Sequence, residues 1–209
     1  MLSMYTIVGL GNPGKEYENT RHNAGREILK MISKKEGFSE WKPARPDSRS
    51  GGEEGKLRAL VSLGKFGKNK IQFVLPNNMM NNSGGSIAPL IKSKKDLSQL
   101  VVIYDDMDLP MGKIKISHNR SSGGHRGLES IIKKLKSEEF TRIRVGISAT
   151  TPKGLIKKPK GEKAVIQYLM APFKEKEMAE LKKTAKTINE ALSTFMTSGL
   201  QRVMTEFNQ

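Results

Sequence analysis

The 209-residue sequence predicts one α/β domain over residues 1–209, built on a largely parallel or mixed sheet. Three observations predict it. Strand patterns and amphipathic helix patterns are interspersed along the whole chain, the order that lays helices onto a sheet. The chain is long enough to bury a core without cross-links, and no repeat or composition break divides it. A long C-terminal helix is expected from Lys174 to about Thr197, where Met178, Leu181, Ala185, Ile188, Leu192 and Phe195 recur at spacings of three and four.

Tyr5–Leu10 reads as a buried strand that ends at Gly9-Leu10-Gly11. Ala24–Glu36 reads as a helix with Ile28, Leu29 and Ile32 on one face. Gly37–Gly55 mixes Pro, Ser, Gly and charge around Trp41 and is expected to be a long surface loop. Leu57–Leu63 and Lys70–Leu75 read as two strands joined by a Gly-Lys-rich turn, and a short helix is expected after Ser86, with Pro89 in its first turn. Leu100–Tyr104 is a buried strand expected to run into an acidic loop. Lys113–Ser117 alternates as a half-exposed strand does. Leu128, Ile131, Ile132 and Leu135 mark a helix, Arg142–Ser148 a further strand, and Pro152–Lys163 a flexible basic loop.

Lys and Arg total 37 against 21 Asp and Glu, a formal charge of +16. Such a balance favours a polyanionic partner, nucleic acid foremost; a generally lysine-rich composition is the alternative. The absence of cysteine excludes disulfides, thiol catalysis and cysteine-ligated zinc, and fits a reducing cytoplasm. The longest clean apolar runs, such as Leu100–Tyr104, fall far short of the roughly 18 residues of a membrane helix. No basic, apolar-cored leader precedes Lys15, so no secretory signal is expected.

Gly9-Leu10-Gly11-Asn12-Pro13-Gly14 satisfies the dinucleotide-binding spacing, but its chemistry requires a helix to start at that loop. Pro13 pushes Asn12 towards extended backbone, and the helix pattern begins about ten residues later. The glycines are better read as a tight strand exit that presents Asn12. Of the three histidines, His22 and His125 each sit just before a helix pattern, where free backbone N–H groups favour anions. Asp105-Asp106-Met107-Asp108-Leu109-Pro110 lacks the ligand and glycine positions of a calcium loop, no His-x-x-x-His spacing suggests a metal, and no G-x-S-x-G elbow suggests a serine nucleophile. A histidine base oriented by a carboxylate, acting on water, is what remains. Asn12, Asn23, Asn81 and Asn82 are turn amides able to hold a carbonyl or an oxyanion.

Five blocks in order carry a resemblance: V-G-L-G-N-P-G-x-x-Y-x-x-T-R-H-N-x-G at Val8–Gly25, M-N-x-S-G at Met80–Gly84, D-D-x-D-L-P-x-G at Asp105–Gly112, S-S-G-G-H-x-G-L-x-S-I at Ser121–Ile131 and F-x-R-x-R-V-G-I at Phe140–Ile147. Together they resemble the bacterial peptidyl-tRNA hydrolase family. The resemblance implies a single α/β domain with a mixed central sheet flanked by helices. It implies cleavage of the ester between a peptide and the 3′ end of tRNA, with no metal or other cofactor, by a cytoplasmic monomer that needs no membrane. His22 would activate water and Asp105 would orient it. Asn12 and Asn81 would position the peptide and scissile carbonyl, and Tyr17, Met80 and His125 would line the channel. Arg144 would contact an acceptor-stem phosphate, with Lys133 and Lys134 on the same basic face or simply solvated. Arg126 stands where many members have asparagine, Asn78 where threonine is common, and Arg120 and Ser148 where glycine is frequent. Arg126 would sit at the substrate and is able to meet a phosphate. A non-catalytic RNA-binding relative is the rival reading; the retained set Asn12, His22, Asn81 and Asp105 speaks for the enzyme.

Overall fold

The computed structural model describes residues 4–44 and 58–208. Within these residues seven strands form one mixed sheet: β1 (Met4–Gly9), β2 (Lys42–Pro43), β3 (Ala59–Phe66), β4 (Asn69–Pro76), β5 (Leu100–Pro110), β6 (Ile114–His118) and β7 (Thr141–Ser148). Their order is β2-β3-β4-β1-β5-β7-β6. The centre is parallel, with β1 between β4 and β5 and β7 beyond β5, while β2–β3, β3–β4 and β6–β7 pair antiparallel. Among the described residues six α-helices flank it: α1 (Ala24–Lys35), α2 (Ser83–Ile87), α3 (Lys94–Ser98), α4 (Arg126–Leu135), α5 (Glu162–Met170) and α6 (Glu175–Phe207). None of the described helices is long and apolar enough to cross a membrane.

Strand alternation divides the core between the two faces of the sheet. Ile7, Phe73, Val101 and Ile103 pack with Ile28, Leu29 and Ile32 of α1 and Leu181, Ile188 and Leu192 of α6. Val8, Val74, Val102 and Tyr104 pack on the other side with Ile87, Leu128 and Ile131. The central strands are covered on both faces, which is why they read as unbroken apolar runs.

The topology explains where a site forms. From β1 the chain passes through α1 to β3 and β4 on one side, then through α2 and α3 to β5 on the other. The β1–β5 gap is therefore a topological switch point, and the carboxyl ends of its strands frame a crevice. Glycine makes the close approach there possible. A Cβ on Gly25 would lie 2.2 Å from the Ile103 carbonyl oxygen, and one on Gly9 would lie 2.5 Å from that of Gly25. The N-terminus of α1 thus abuts the ends of β1 and β5. The glycine-rich segment is a packing device at a strand exit, as its sequence suggested, and α1 starts only at Ala24.

Several elements differ from the sequence reading. The acidic segment is not a loop: β5 continues to Pro110, because Asp105 and Asp106 pair along β7 with Val145 and Gly146 before the register shifts. The short helix begins at Ser83, ahead of Ser86, and Pro89 lies in a separate 3₁₀ turn, Ala88–Leu90. The Pro152–Lys163 segment is a loop only to Gly161, whose positive φ of 84° ends it, and α5 starts at Glu162. The C-terminal helix runs on past Thr197 to Phe207, broken at Gly199 (φ 82°, ψ 177°), and Val203 beyond the break is again buried. Within the expected 37–55 loop, Lys42–Pro43 pairs with β3, an edge that local composition hides. The rest of that loop from residue 45, and Leu57 of the expected strand, lie outside the described residues.

Candidate active site

His22 lies in a 3₁₀ turn, Arg21–Asn23, directly before α1, and Asp105 lies at the midpoint of β5. The β1–β5 pairing brings together these two residues 83 positions apart: His22 Nδ1 is 3.0 and 3.1 Å from the two Asp105 oxygens. His125 approaches the same carboxylate from the other side, with Nε2 3.1 Å from Asp105 Oδ1. Asp105 and His22 are buried, at 4% and 8% exposure, and His125 is partly buried.

The hydrogen bonds assign the protons. His125 is the N-cap of α4, and its Nδ1 accepts the Leu128 N–H at 3.3 Å. Its Nε2 therefore carries the proton and donates to Asp105, so both nitrogens of His125 are committed. Neutral His22 donates from Nδ1, and no hydrogen bond within the described residues occupies its Nε2. His118, the third histidine, has a buried Nδ1 without a hydrogen-bond partner and no carboxylate bonded to it among the described residues. Only His22 combines a carboxylate with a free ring nitrogen.

Electrostatics agree with this assignment. Burial alone would raise the Asp105 pKa, but the two histidines and their hydrogen bonds outweigh it and hold the carboxyl well below its usual range. Burial pulls the His22 imidazole down, yet the Asp105 charge and hydrogen bond raise its pKa above the ordinary 6.5, with Arg126 opposing them in part. Burial pushes Tyr104, whose ring meets His125 edge-on at 4.8 Å, up to about 12, so it stays a neutral wall.

These side chains open into a cleft of about 830 Å³. It is lined by the end of β5, by Lys115 of β6 and Arg144 of β7, by the glycine loop before α4, and by Val165, Ile166, Leu169 and Met170 of α5. His22, Asp105, His125, Arg126 and Arg144 all line it. Arg144 Nε pairs with Asp106, and Arg126 reaches Glu162 of α5 at 3.2 Å.

A family model described as peptidyl-tRNA hydrolase matches residues 6–209. The chain belongs to the peptidyl-tRNA hydrolase family. It is 39% identical over 207 residues to a peptidyl-tRNA hydrolase of Carboxydothermus hydrogenoformans, covering 99% of both chains, and 34% identical to that of Staphylococcus saprophyticus, covering 98% of both. Its fold superposes on the crystal structure of peptidyl-tRNA hydrolase from Acinetobacter baumannii with a TM-score of 0.81 at 25% identity, covering 100% of this chain and 96% of that one.

As a member of this hydrolase family the chain keeps the remaining motif residues at defined places. Asn12 is 3% exposed; its Oδ1 accepts the Met80 N–H at 2.7 Å, while its backbone exchanges bonds with the Asn23 amide. That contact orients the Asn12 amide and leaves Nδ2 as its available donor. Met80 is buried behind Gly127, and Asn81 is exposed on the same 3₁₀ turn, Met80–Asn82. Tyr17 is half-buried in another 3₁₀ turn, Lys15–Tyr17. None of these four lines the cleft described above. Lys133 and Lys134 are exposed on the last turn of α4, at the opposite end from His125 and outside the cleft lining.

Sequence reasoning missed Lys115 and the α5 wall. The wall did have a signal: Ala164-Val165-Ile166, with Leu169 and Met170 one turn on, follows Gly161 as a helical stripe would. Lys115 sits at an exposed alternate position of β6, which periodicity reports as a strand face without saying what that face meets.

Proposed function

We propose that this chain hydrolyses the ester between a peptide, or an N-blocked aminoacyl group, and the 3′ end of tRNA, recycling tRNA from aborted translation. The observation that carries this reading is His22, with Nδ1 on an ionised buried carboxylate and Nε2 free, in the cleft of a hydrolase-family fold. Nε2 of neutral His22 takes a proton from water as the water oxygen attacks the ester carbonyl carbon. Asp105 fixes the ring and stabilises the imidazolium that forms. Breakdown of the tetrahedral intermediate expels the ribose oxygen, which recovers the proton from His22. On the family resemblance, Asn12 Nδ2 and Asn81, which lie outside the lining of the 830 Å³ cleft, are the donors for the carbonyl and its developing oxyanion. His125 shapes the cleft and Arg126 meets a phosphate there, while Tyr17 and Met80, outside its lining, are channel residues on the family resemblance alone.

No metal takes part in this scheme. The three clustered residues place ligand atoms within 4.8 Å of one another, a spacing a cation would tolerate. Yet His22 Nδ1 and His125 Nε2 both act as donors to Asp105, and a metal would have to displace both protons. Purified protein incubated with N-acetyl-aminoacyl-tRNA and EDTA is expected to release deacylated tRNA at the rate seen without chelator. Absence of release in either condition would refute the enzyme reading and favour a binding protein. Release abolished by EDTA alone would refute metal independence.

Positive charge at the cleft suits the phosphates of an acceptor stem. Arg144 is half-buried in the cleft with its Nε held by Asp106, which aims the guanidinium without exhausting its donors. Arg144→Ala is expected to weaken tRNA binding and to reduce the log–log salt slope by about 0.9, one duplex phosphate's share. Titration of affinity against salt concentration checks this; an unchanged slope would remove Arg144 from the interface. The protein is expected to act as a cytoplasmic monomer, as a single domain.

A further inference from the structure

Arg21 precedes His22 in the chain, is 5% exposed, and takes no place in the cleft lining. A buried guanidinium beside a proposed catalytic base calls for an account. Its partners lie some 150 residues away, in the end of α5, the short connection that follows it and the first turn of α6. Nη1 donates to the Ala171 and Pro172 carbonyls, both at 3.3 Å. Nη2 donates to both Glu177 oxygens, at 2.9 and 2.8 Å. The guanidinium carbon lies 4.5 Å from the centre of the Tyr168 ring, whose hydroxyl donates to the Ile147 carbonyl at 2.7 Å.

The backbone repeats the link. Arg21 N–H donates to Ala171 O at 3.1 Å, Phe173 N–H to Asn19 O at 2.8 Å, and Thr20 bridges Pro172. Glu177 also accepts the Lys174 N–H at 2.7 Å, closing the first turn of α6. One planar fork therefore ties the C-terminal end of α5, the N-terminal end of α6 and the tip of β7 to the turn that carries His22. The opposite flank of that turn is held by Asn23 against Asn12. A point charge such as lysine cannot satisfy two carbonyls and a carboxylate in one plane.

We propose that Arg21 is a positioning residue for the hydrolytic reaction, locking the His22 turn to the α5 wall of the cleft so that base and substrate wall keep one geometry. This rests on His22 as the base. Arg21→Lys is expected to stay folded and to lower kcat roughly 10- to 100-fold, the effect of a base displaced by about 1 Å. KM for N-acetyl-aminoacyl-tRNA should stay within about threefold, because Arg21 touches no substrate.

A second readout separates positioning from mere stability. The chain has only three histidines, so the His22 imidazole can be followed by NMR. The charged and titratable groups that face it are Asp105 and His125 with Arg126. In Arg21→Lys its titration midpoint should fall towards the ordinary histidine value as the Asp105 contact loosens. Normal kcat and normal titration, with or without a lower Tm, would overturn the proposal. Should that variant not fold, Glu177→Gln decides. It keeps an acceptor but removes the ion pair, and it should lower kcat severalfold and move the same titration; no change in either would overturn the proposal. If His22→Ala proved fully active, the base assignment would fall, whereas the titration would still report whether Arg21 holds the turn.

Discussion

His22→Ala is expected to lower kcat for N-acetyl-aminoacyl-tRNA by about 10²–10⁴, the usual cost of losing a general base. At 1.36 kcal/mol per decade this is roughly 2.7–5.4 kcal/mol of barrier. The geometry argues against rescue by a neighbour. His125 is the nearest candidate, with ring centroids 5.2 Å apart, but its Nδ1 caps α4 and its Nε2 donates to Asp105. Acting as a base would require it to abandon one of these bonds. Binding should survive, since the proposed phosphate contacts at Arg144 and Arg126 are untouched. Single-turnover rates alongside equilibrium tRNA binding separate the two quantities. Near-normal turnover in this variant would refute the mechanism.

Asp105→Asn should cost less, roughly 10- to 10²-fold, below the range for removing the base itself. Its more telling effect is on pH. In the wild type the carboxylate raises the His22 pKa, so the acid limb of the kcat profile, where neutral His22 is lost, should lie above the ordinary 6.5. The amide removes that charge. Burial and Arg126, both of which pull His22 down, are then unopposed, and the limb should move to lower pH while the plateau falls. The plateau falls because the amide nitrogen faces a ring N–H that had an oxygen to meet. His22 can satisfy that nitrogen only in the tautomer that puts its lone pair on Nδ1, away from substrate. A pH–rate profile of both proteins checks the sign; a limb that stays in place or moves to higher pH would show that Asp105 does not set the protonation of His22.

Much of this was legible in local pattern. The stripes of α1 and α4 and the apolar runs of β1 and β5 reflect which faces are buried, whereas the alternating pattern that marked β7 as a strand conceals a strand buried on both faces, Arg142 included. The expected helix pattern also placed His22 and His125 at helix starts, where each is found. Misreadings fell where local chemistry and tertiary context conflict. Three aspartates and a proline read as a loop, yet β7 pairs with Asp105, Asp106 and Pro110, and Arg144 offers Asp106 a counter-charge. The Gly-Pro-Lys composition of residues 152–161 masked the start of α5, a helix with no fully buried residue whose apolar side lines the cleft and reaches the core only through Tyr168 and Leu169.

The residue types of the site, and the exclusion of thiol and serine-elbow chemistry, are properties of the sequence alone, because they depend only on which side chains exist and how they are spaced. What they do to one another was decided by the fold. Asp105 meets His22 because β5 runs beside β1, and His125 because the start of α4 packs against the same strand end, which puts partners 83 and 20 positions away on one carboxylate. His125 is a donor and not a base because it caps α4. Arg21 meets Glu177 across 156 residues because the α5–α6 connection folds back over the His22 turn. Periodicity reports only which face of an element is buried. Proton positions and charge pairs depend on atoms within about 3 Å, and only the packed chain brings those atoms together.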